Sequence, residues 1–197
     1  PQKQLVLAST SPYRRELLGR LGLPFVVANP DTDETALPGE TPTAMALRLS
    51  EAKARAVAKQ HPGALIIGSD QVAEMDGRLF GKPGTHDKAV EQLRALSGKT
   101  VNFFTGLCVL NATTGQAELC GVPTLVGFRE LGDAEIEAYI ATGEPMDKAG
   151  AYGIQGAAGA FVEKIDGSYE NVMGFPVDDV ERMLKEFLKK QPVREGR

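Results

Sequence analysis

Two short blocks without a polar residue, Leu5-Val6-Leu7-Ala8 and Ala64-Leu65-Ile66-Ile67, constrain the fold of this 197-residue chain more than any other feature. Apolar runs of this length without alternation read as strands buried on both faces, and such strands need helices to cover them. The sequence between them supplies helices. Ser9-Thr10-Ser11-Pro12 is a hydroxyl cap followed by a proline early in the helix, where its missing N–H costs nothing. The helix it opens runs to about Leu21, with Leu17, Leu18 and Leu21 on one face and Gly22 as its stop. Pro24 to Ala28 is a second strand, and residues 29–41 are a loop rich in acids, proline and glycine. Pro42 then begins a long helix to about Gln60, with Met45, Leu49, Ala52 and Ala56 as its buried stripe.

The third strand, Ala64 to Gly68, ends in Ser69-Asp70-Gln71. Asp76-Gly77 marks a hairpin. A helix over residues 85–96, strand-rich sequence from Val101 to Phe128 with a turn at Thr113-Thr114-Gly115, and a helix from Leu131 to Thr142 follow. The small residues of 149–160 form a tight loop, and Asp166-Gly167 marks a second hairpin within Phe161 to Tyr169. Pro176 to Lys190 is an amphipathic helix with Val177, Val180, Leu184, Phe187 and Leu188 inward, and the tail from about residue 191 is polar. Strands and helices alternate early and hairpins come late, so the pattern predicts an α/β fold with a mixed sheet and flanking helices. With no linker and no repeat, residues 1–197 read as a single domain.

A net charge of −4 gives no hint of a basic face for nucleic acid, although cations gathered in one cleft would still serve a polyanion. No apolar run approaches the roughly 20 residues of a membrane span, and cytoplasm is the expected compartment. Cys108 and Cys120 flank the expected hairpin and read as two buried thiols, outside any zinc-ligand spacing. His61 and His86 fall in polar helix-end contexts and read as surface residues.

Three segments carry chemistry, each where a buried strand ends, the edge at which α/β sheets bind ligands. The hydroxyl-rich turn from Ser9 offers helix N-terminal amides to a phosphate, and Arg14 and Arg15 sit in the first turn, where cations oppose the helix dipole unless an anion is present. Asp70 follows an apolar strand and is placed for a metal ligand or a general base, or merely to cap a turn. Lys82, in Gly81-Lys82-Pro83-Gly84, is either a fixed phosphate contact or a solvated loop lysine. The loop carboxylates Asp31, Asp33 and Glu34 suggest a hard divalent cation or a solvated acidic loop. Glu51, Lys53 and Arg55 read as surface pairs on the second helix. Ser97-Gly98-Lys99-Thr100 imitates the end of a phosphate-binding P-loop, but Leu93 stands where its first glycine belongs and the helix precedes rather than follows.

Taken in order, Leu7-Ala8-Ser9-Thr10-Ser11-Pro12-Tyr13-Arg14-Arg15, Asp33-Glu34, Arg48-Leu49-Ser50-Glu51-Ala52-Lys53-Ala54, Gly68-Ser69-Asp70-Gln71, Gly81-Lys82-Pro83, Leu96-Ser97-Gly98-Lys99, Asp147 to Gly156 and Ile165-Asp166-Gly167-Ser168-Tyr169 resemble the Maf-like family over nearly the whole chain. The resemblance implies two lobes around a deep cleft, similar to inosine triphosphate pyrophosphatases. It also implies a nucleoside triphosphate pyrophosphatase that depends on a divalent metal cation, Mg2+ or Mn2+, and is often a homodimer. By motif position Asp70 matches the proton acceptor that activates water. Ser9, Arg14, Glu34, Lys53 and Lys82 match residues that bind phosphate or support the metal, with Glu34 and Asp70 as the metal's carboxylates.

Within that family three positions track substrate, here Tyr13, Gln71 and Gln155. The pyrimidine (dTTP, UTP) branch carries Arg, Thr and Gln there, and the 7-methyl-GTP branch an aromatic, Gln and Glu. Tyr13 and Gln71 agree with the second, while Gln155 departs from it and agrees with the first. A cationic 7-methylguanine is drawn to an aromatic face by about 1–2 kcal/mol when desolvated, which Tyr13 could supply. The expectation is therefore a 7-methyl-GTP pyrophosphatase, with a dTTP/UTP enzyme as the alternative. A nucleotide-binding regulator of cell division and a nucleic-acid-binding protein are the rivals from other classes.

Overall fold

The computed structural model describes residues 3–81, 83–143, 161–167 and 175–189. Within them the strands are β1 (Leu5–Ala8), β2 (Val26–Ala28), β3 (Leu65–Met75), β4 (Arg78–Phe80), β5 (Thr100–Asn111), β6 (Ala117–Phe128) and β7 (Val162–Asp166). The helices are α1 (Pro12–Gly19), α2 (Pro42–Ala58), α3 (His86–Leu96), α4 (Asp133–Ile140) and α5 (Val177–Lys189). All seven strands join one open sheet in the order β2-β1-β3-β5-β6-β7, with β4 attached to β3. β1 runs parallel to β2 and β3, and every other pairing is antiparallel. The expected mixed α/β sheet is the one observed.

The long strands β3, β5 and β6 carry the architecture. Alternation along them puts Leu65, Ile67, Leu107 and Val109 on one face at one end, where they bury against Leu17 and Leu18 of α1 and Val180, Met183, Leu184 and Phe187 of α5. Further along, the same face carries Ala73, Val101, Phe103, Val126 and Phe128, packed against Leu93 and Leu96 of α3 and Ile136, Tyr139 and Ile140 of α4. The opposite face presents Val6, Ile66, Cys108 and Leu110 to Ala54 and Val57 of α2.

Several local expectations are corrected. The third strand does not stop at Gly68 but runs to Met75, because it pairs with β5 from Leu65↔Asn111 to Glu74↔Asn102. Polar Gln71 and Glu74 break the apolar run without breaking this ladder. Asp76 and Gly77, both at positive φ (50° and 81°), then turn the chain into β4, as a two-residue type I′ hairpin requires. The buried stripe of α2 is Ala46, Leu49, Ser50, Lys53, Ala54 and Val57, whereas Ala56 is exposed and Met45 and Ala52 are half-buried.

The small residues win because α2 crosses two glycines. A Cβ on Gly68 would lie 2.1 Å from the Ser50 carbonyl oxygen, and one on Gly106 would lie 2.4 Å from that of Ala46. The Ser50 hydroxyl, which this contact buries, donates to the Ala46 carbonyl at 2.6 Å.

Cys108 is buried beneath α2, but Cys120 is half-exposed on the other face, so the two thiols are free and separated by the sheet. The tight loop of 149–160 and the tail from 191 lie outside the described residues, as does the side chain of Leu188.

Candidate active site

β3 has two neighbours on one edge. β1 occupies that edge as far as the pair Ala8↔Gly68, and β4 takes it up again at Ala73↔Phe80. Between the two ladders lie Ser69, Asp70, Gln71 and Val72. The chain leaves β1 into Ser9-Thr10-Ser11 at one side of this notch, and leaves β4 into Gly81 at the other. Three segments more than 60 positions apart from end to end therefore meet at one place. Asp70 and Gln71 lie within a strand rather than at its end, yet they stand just beyond the carboxyl end of β1, where the parallel part of the sheet stops.

The turn after β1 is built from hydroxyls. Buried Ser9 accepts from the Ser11 amide at 3.0 Å, and Ser11 caps α1 by accepting from the Arg14 amide at 3.3 Å. The cap is thus Ser11, and Ser9 braces the turn that leads to it. Tyr13 and Arg14 are half-buried and Arg15 is exposed. Loss of solvent around the Arg14 guanidinium lowers its pKa, while the carboxylates of Asp70 and then Glu34 act in the opposite sense. Arg14 therefore lies in the field of both acids, and the two arginines expected together face different surroundings.

Lys53 is not a surface residue. Its side chain is 9% exposed, and its ammonium donates to Asp70 Oδ1 at 2.7 Å and pairs with Glu34 Oε1 at 3.0 Å. Of Glu51, Lys53 and Arg55, the first and last form the expected helix-surface pair, at 3.2 Å. Asp70 itself is nearly buried, with its side chain 12% exposed. The tight seating of α2 on Gly68 and Gly106 brings Lys53 to Asp70, since Gly68 is two residues before Asp70 and Gly106 is its cross-strand partner.

The acidic loop is divided in use. Asp33 accepts from the Thr35 amide at 2.9 Å, and Thr35, through its side chain first and this amide second, holds the Asp33 carboxyl below the usual range. Asp31, at φ 40°, donates its amide to Asn29. These turns replace the carboxylate cluster that the sequence suggests, and among the described residues no three His, Cys, Asp or Glu side chains gather as a metal cage. Of the three loop acids Glu34 pairs with Lys53, the ammonium that also bonds Asp70. Arg48 anchors the loop to α2 through two bonds to Glu40, at 2.6 and 3.0 Å, and one to the Thr35 carbonyl at 3.0 Å.

Gln71 points to the sheet face opposite Asp70 and donates to Thr105 Oγ1 at 3.3 Å across the β3–β5 pair. Thr105, fully buried, was not singled out in the sequence, and neither was Gly106, whose missing Cβ admits α2. No local signal marks them, because each matters through a partner distant in the chain. Lys82 and Gln155 lie outside the described residues. Asp70, Lys53, Glu34 and Arg14 are thus brought together, Ser9 is placed at the turn beside them, and Gln71 is held next to them on the other face.

Fold and site together define an α/β protein with a charged notch at the carboxyl edge of its parallel strands, two cations against two carboxylates. The chain belongs to the Maf-like protein family, whose match spans residues 4–187. It is similar to a 7-methyl-GTP pyrophosphatase of Cupriavidus pinatubonensis, 50% identical over 187 residues and covering 94% of each chain. It is also similar to a dTTP/UTP pyrophosphatase of Anaeromyxobacter dehalogenans, 49% identical over 92% of this chain and 93% of that one. Among solved structures a HAM1 protein from Coxiella burnetii superposes with a TM-score of 0.50 at 14% identity, over 94% of this chain and all of that one. That likeness carries the fold alone.

Proposed function

We propose that this protein is a divalent-metal-dependent nucleoside triphosphate pyrophosphatase that converts 7-methyl-GTP to 7-methyl-GMP and pyrophosphate. The observation that carries the reading is the Lys53 ammonium held between Asp70 and Glu34 beside Arg14, at an edge where a hydroxyl-rich helix start also opens. It is a site with carboxylates for water and metal and with cations for phosphate.

The donor set fits a hard cation. Glu34 and Asp70 offer two carboxylates that already share one cation, and magnesium is commonly held by one or two carboxylates together with substrate phosphates. Bound there, a divalent ion would supply Lewis-acid neutralisation of phosphate oxygens. The chain's own groups do the rest. The Asp70 carboxylate accepts a proton from the attacking water as its oxygen bonds to the α-phosphorus. The bridging P–O bond breaks, and its electron pair leaves with pyrophosphate. Arg14, Lys53 and Lys82 oppose the charge that builds on the leaving group, Ser9 and Arg15 extend the phosphate seat, and no covalent intermediate is needed. Lys53 also fixes the orientation of Asp70 through its 2.7 Å bond.

Identity does not separate the two activities named among the relatives, since it is 50% for one and 49% for the other. Tyr13 and Gln71 support the 7-methylated purine: an aromatic face attracts a cationic base, and Gln71 is oriented by Thr105 to present a fixed amide. Gln155 supports a dTTP/UTP enzyme, which is the second reading. We place the protein in the cytoplasm, and a homodimer is the expected assembly. The test is pyrophosphate release with Mg2+ or Mn2+ from 7-methyl-GTP, GTP, dTTP, UTP, CTP and ATP. Preference for 7-methyl-GTP supports the assignment, preference for dTTP or UTP replaces it with the second reading, and release from none of them overturns the enzyme and favours a nucleotide-binding regulator.

A further inference from the structure

We propose that Lys53 is an internal stand-in for the divalent cation: it keeps free metal out of the Glu34–Asp70 pair, so that the metal is admitted only together with the triphosphate. The inference rests on the pyrophosphatase reading and concerns the order in which that site is filled.

Lys53 Nζ lies 2.7 Å from one carboxylate and 3.0 Å from the other, so one ammonium contacts oxygens contributed by β3 and by the loop before α2. Any divalent ion that takes both carboxylates must displace it. The displaced ammonium has little solvent to move into, since its side chain is 9% exposed, and Arg14 stands in the field of the same two acids. Two carboxylates against Lys53 and Arg14 sum to zero charge. A free dication would therefore enter a site with no net negative charge and two cations already present, and would find too few protein oxygens to complete its shell, because among the described residues no third acid joins the pair.

A triphosphate changes each of these terms. Its oxygens complete the metal's coordination, and they offer Lys53 and Arg14 an anionic partner in place of the carboxylates. The lysine would then pass from metal surrogate to phosphate contact in the same event that frees Asp70 to receive a proton. Lys53 is in this sense a positioning residue whose two roles exclude one another in time.

The experiment is a Mn2+ titration followed by electron paramagnetic resonance, which needs no turnover. Mn2+ alone should bind the unaltered protein weakly, and Mn2+ with the α,β-methylene analogue of GTP should bind at least about tenfold more tightly. Lys53→Met should raise the affinity for Mn2+ alone at least about tenfold, because one unit of positive charge is removed from contact distance. Lys53→Arg should not, and adding Glu34→Gln to Lys53→Met should abolish the gain. Arg55→Met, on the same helix but paired with Glu51, controls for net charge and should change Mn2+ affinity by less than about twofold at ordinary salt. Tight binding of Mn2+ alone by the unaltered protein overturns the proposal even if Lys53→Met does not fold, and so does an unchanged affinity in a folded Lys53→Met. If the Mn2+ results hold while no triphosphate is cut, the functional reading fails and this one stands; if pyrophosphate is released while free Mn2+ binds tightly, the reverse is true.

Discussion

Asp70 is a nearly buried acid whose carboxylate is tied to Lys53, and that contact sets what its substitution should do. Asp70→Asn keeps the shape and leaves Glu34 to pair with Lys53, but removes the proton acceptor. Turnover should fall by about 10²- to 10⁴-fold, the range of a positioned general base, while the circular dichroism spectrum is retained; full activity in a folded Asp70→Asn would remove the water-activating role. The cysteines give an independent check on the sheet. Burial pushes the Cys108 thiol up to about 12, with Glu51 adding to the effect, so it stays protonated at any working pH. Cys120, half-exposed beside Asp179 and Arg182, should be the only thiol that a disulfide reagent modifies in the native protein, and slowly, since burial and then Asp179 also raise its pKa. Two rapidly reacting thiols would contradict the assignment of Cys108 to the covered face.

Helix α2 was legible as an element, and its register was not. Hydrophobicity alone selects Met45, Leu49, Ala52 and Ala56, whereas the sheet selects Ala46, Ser50 and Ala54, because Gly68 and Gly106 leave room only for small side chains. That choice turns Lys53 inward and makes it part of the site instead of a surface pair. Gly68→Ala tests the link. Its new methyl would meet the backbone oxygen of Ser50 at 2.1 Å and the backbone nitrogen of Ala54 at 2.9 Å, neither of which yields as a side chain would. A loss of at least about 1–3 kcal/mol is expected, together with reduced turnover as Lys53 moves from Asp70; unchanged melting and activity would show that the crossing is looser than drawn.

The contact between α3 and α4 supplies a pH prediction. His86 Nε2 meets Glu137 Oε2 at 2.7 Å, with Asp87 at 3.5 Å, and Glu137 and then Asp87 raise the imidazole pKa. A raised folded-state value stabilises the protein fully below the unfolded pKa of about 6.5 and ceases to do so as pH rises through the folded value. The melting temperature of the native chain should therefore exceed that of His86→Gln in mild acid and converge with it in alkali. A difference that grows toward alkali would reverse the assignment.

Across the molecule, β3, β5 and β6 pass without interruption from the cluster under α1 and α5 to the cluster under α3 and α4. We expect one cooperative unit. Phe103→Ala, deep in the second cluster, should cost about 3–5 kcal/mol and shift a single denaturation transition that tyrosine fluorescence and circular dichroism report together; two separable transitions would indicate independent lobes. The strand–helix alternation, the early buried strands and the segments at the notch could all be read in the sequence, because local periodicity and capping encode them. The notch itself could not, since it exists only where β1 stops and β4 begins on the same edge of β3, a fact of pairing between distant segments. Thr105 and Gly106 were invisible for the same reason: each acts through the residue opposite it.

That two-residue alternation also limits how this chain can vary over generations. A single codon gained or lost between Leu65 and Asp70 would send the carboxylate of position 70 to the side now held by Gln71, and the amide to the side of α2. Replacement of one amino acid by another leaves that frame intact, whereas a change of length destroys it at a stroke. Insertions and deletions should thus collect at exposed turns such as Thr113-Thr114-Gly115, while β3 keeps a fixed residue count however far its descendants diverge.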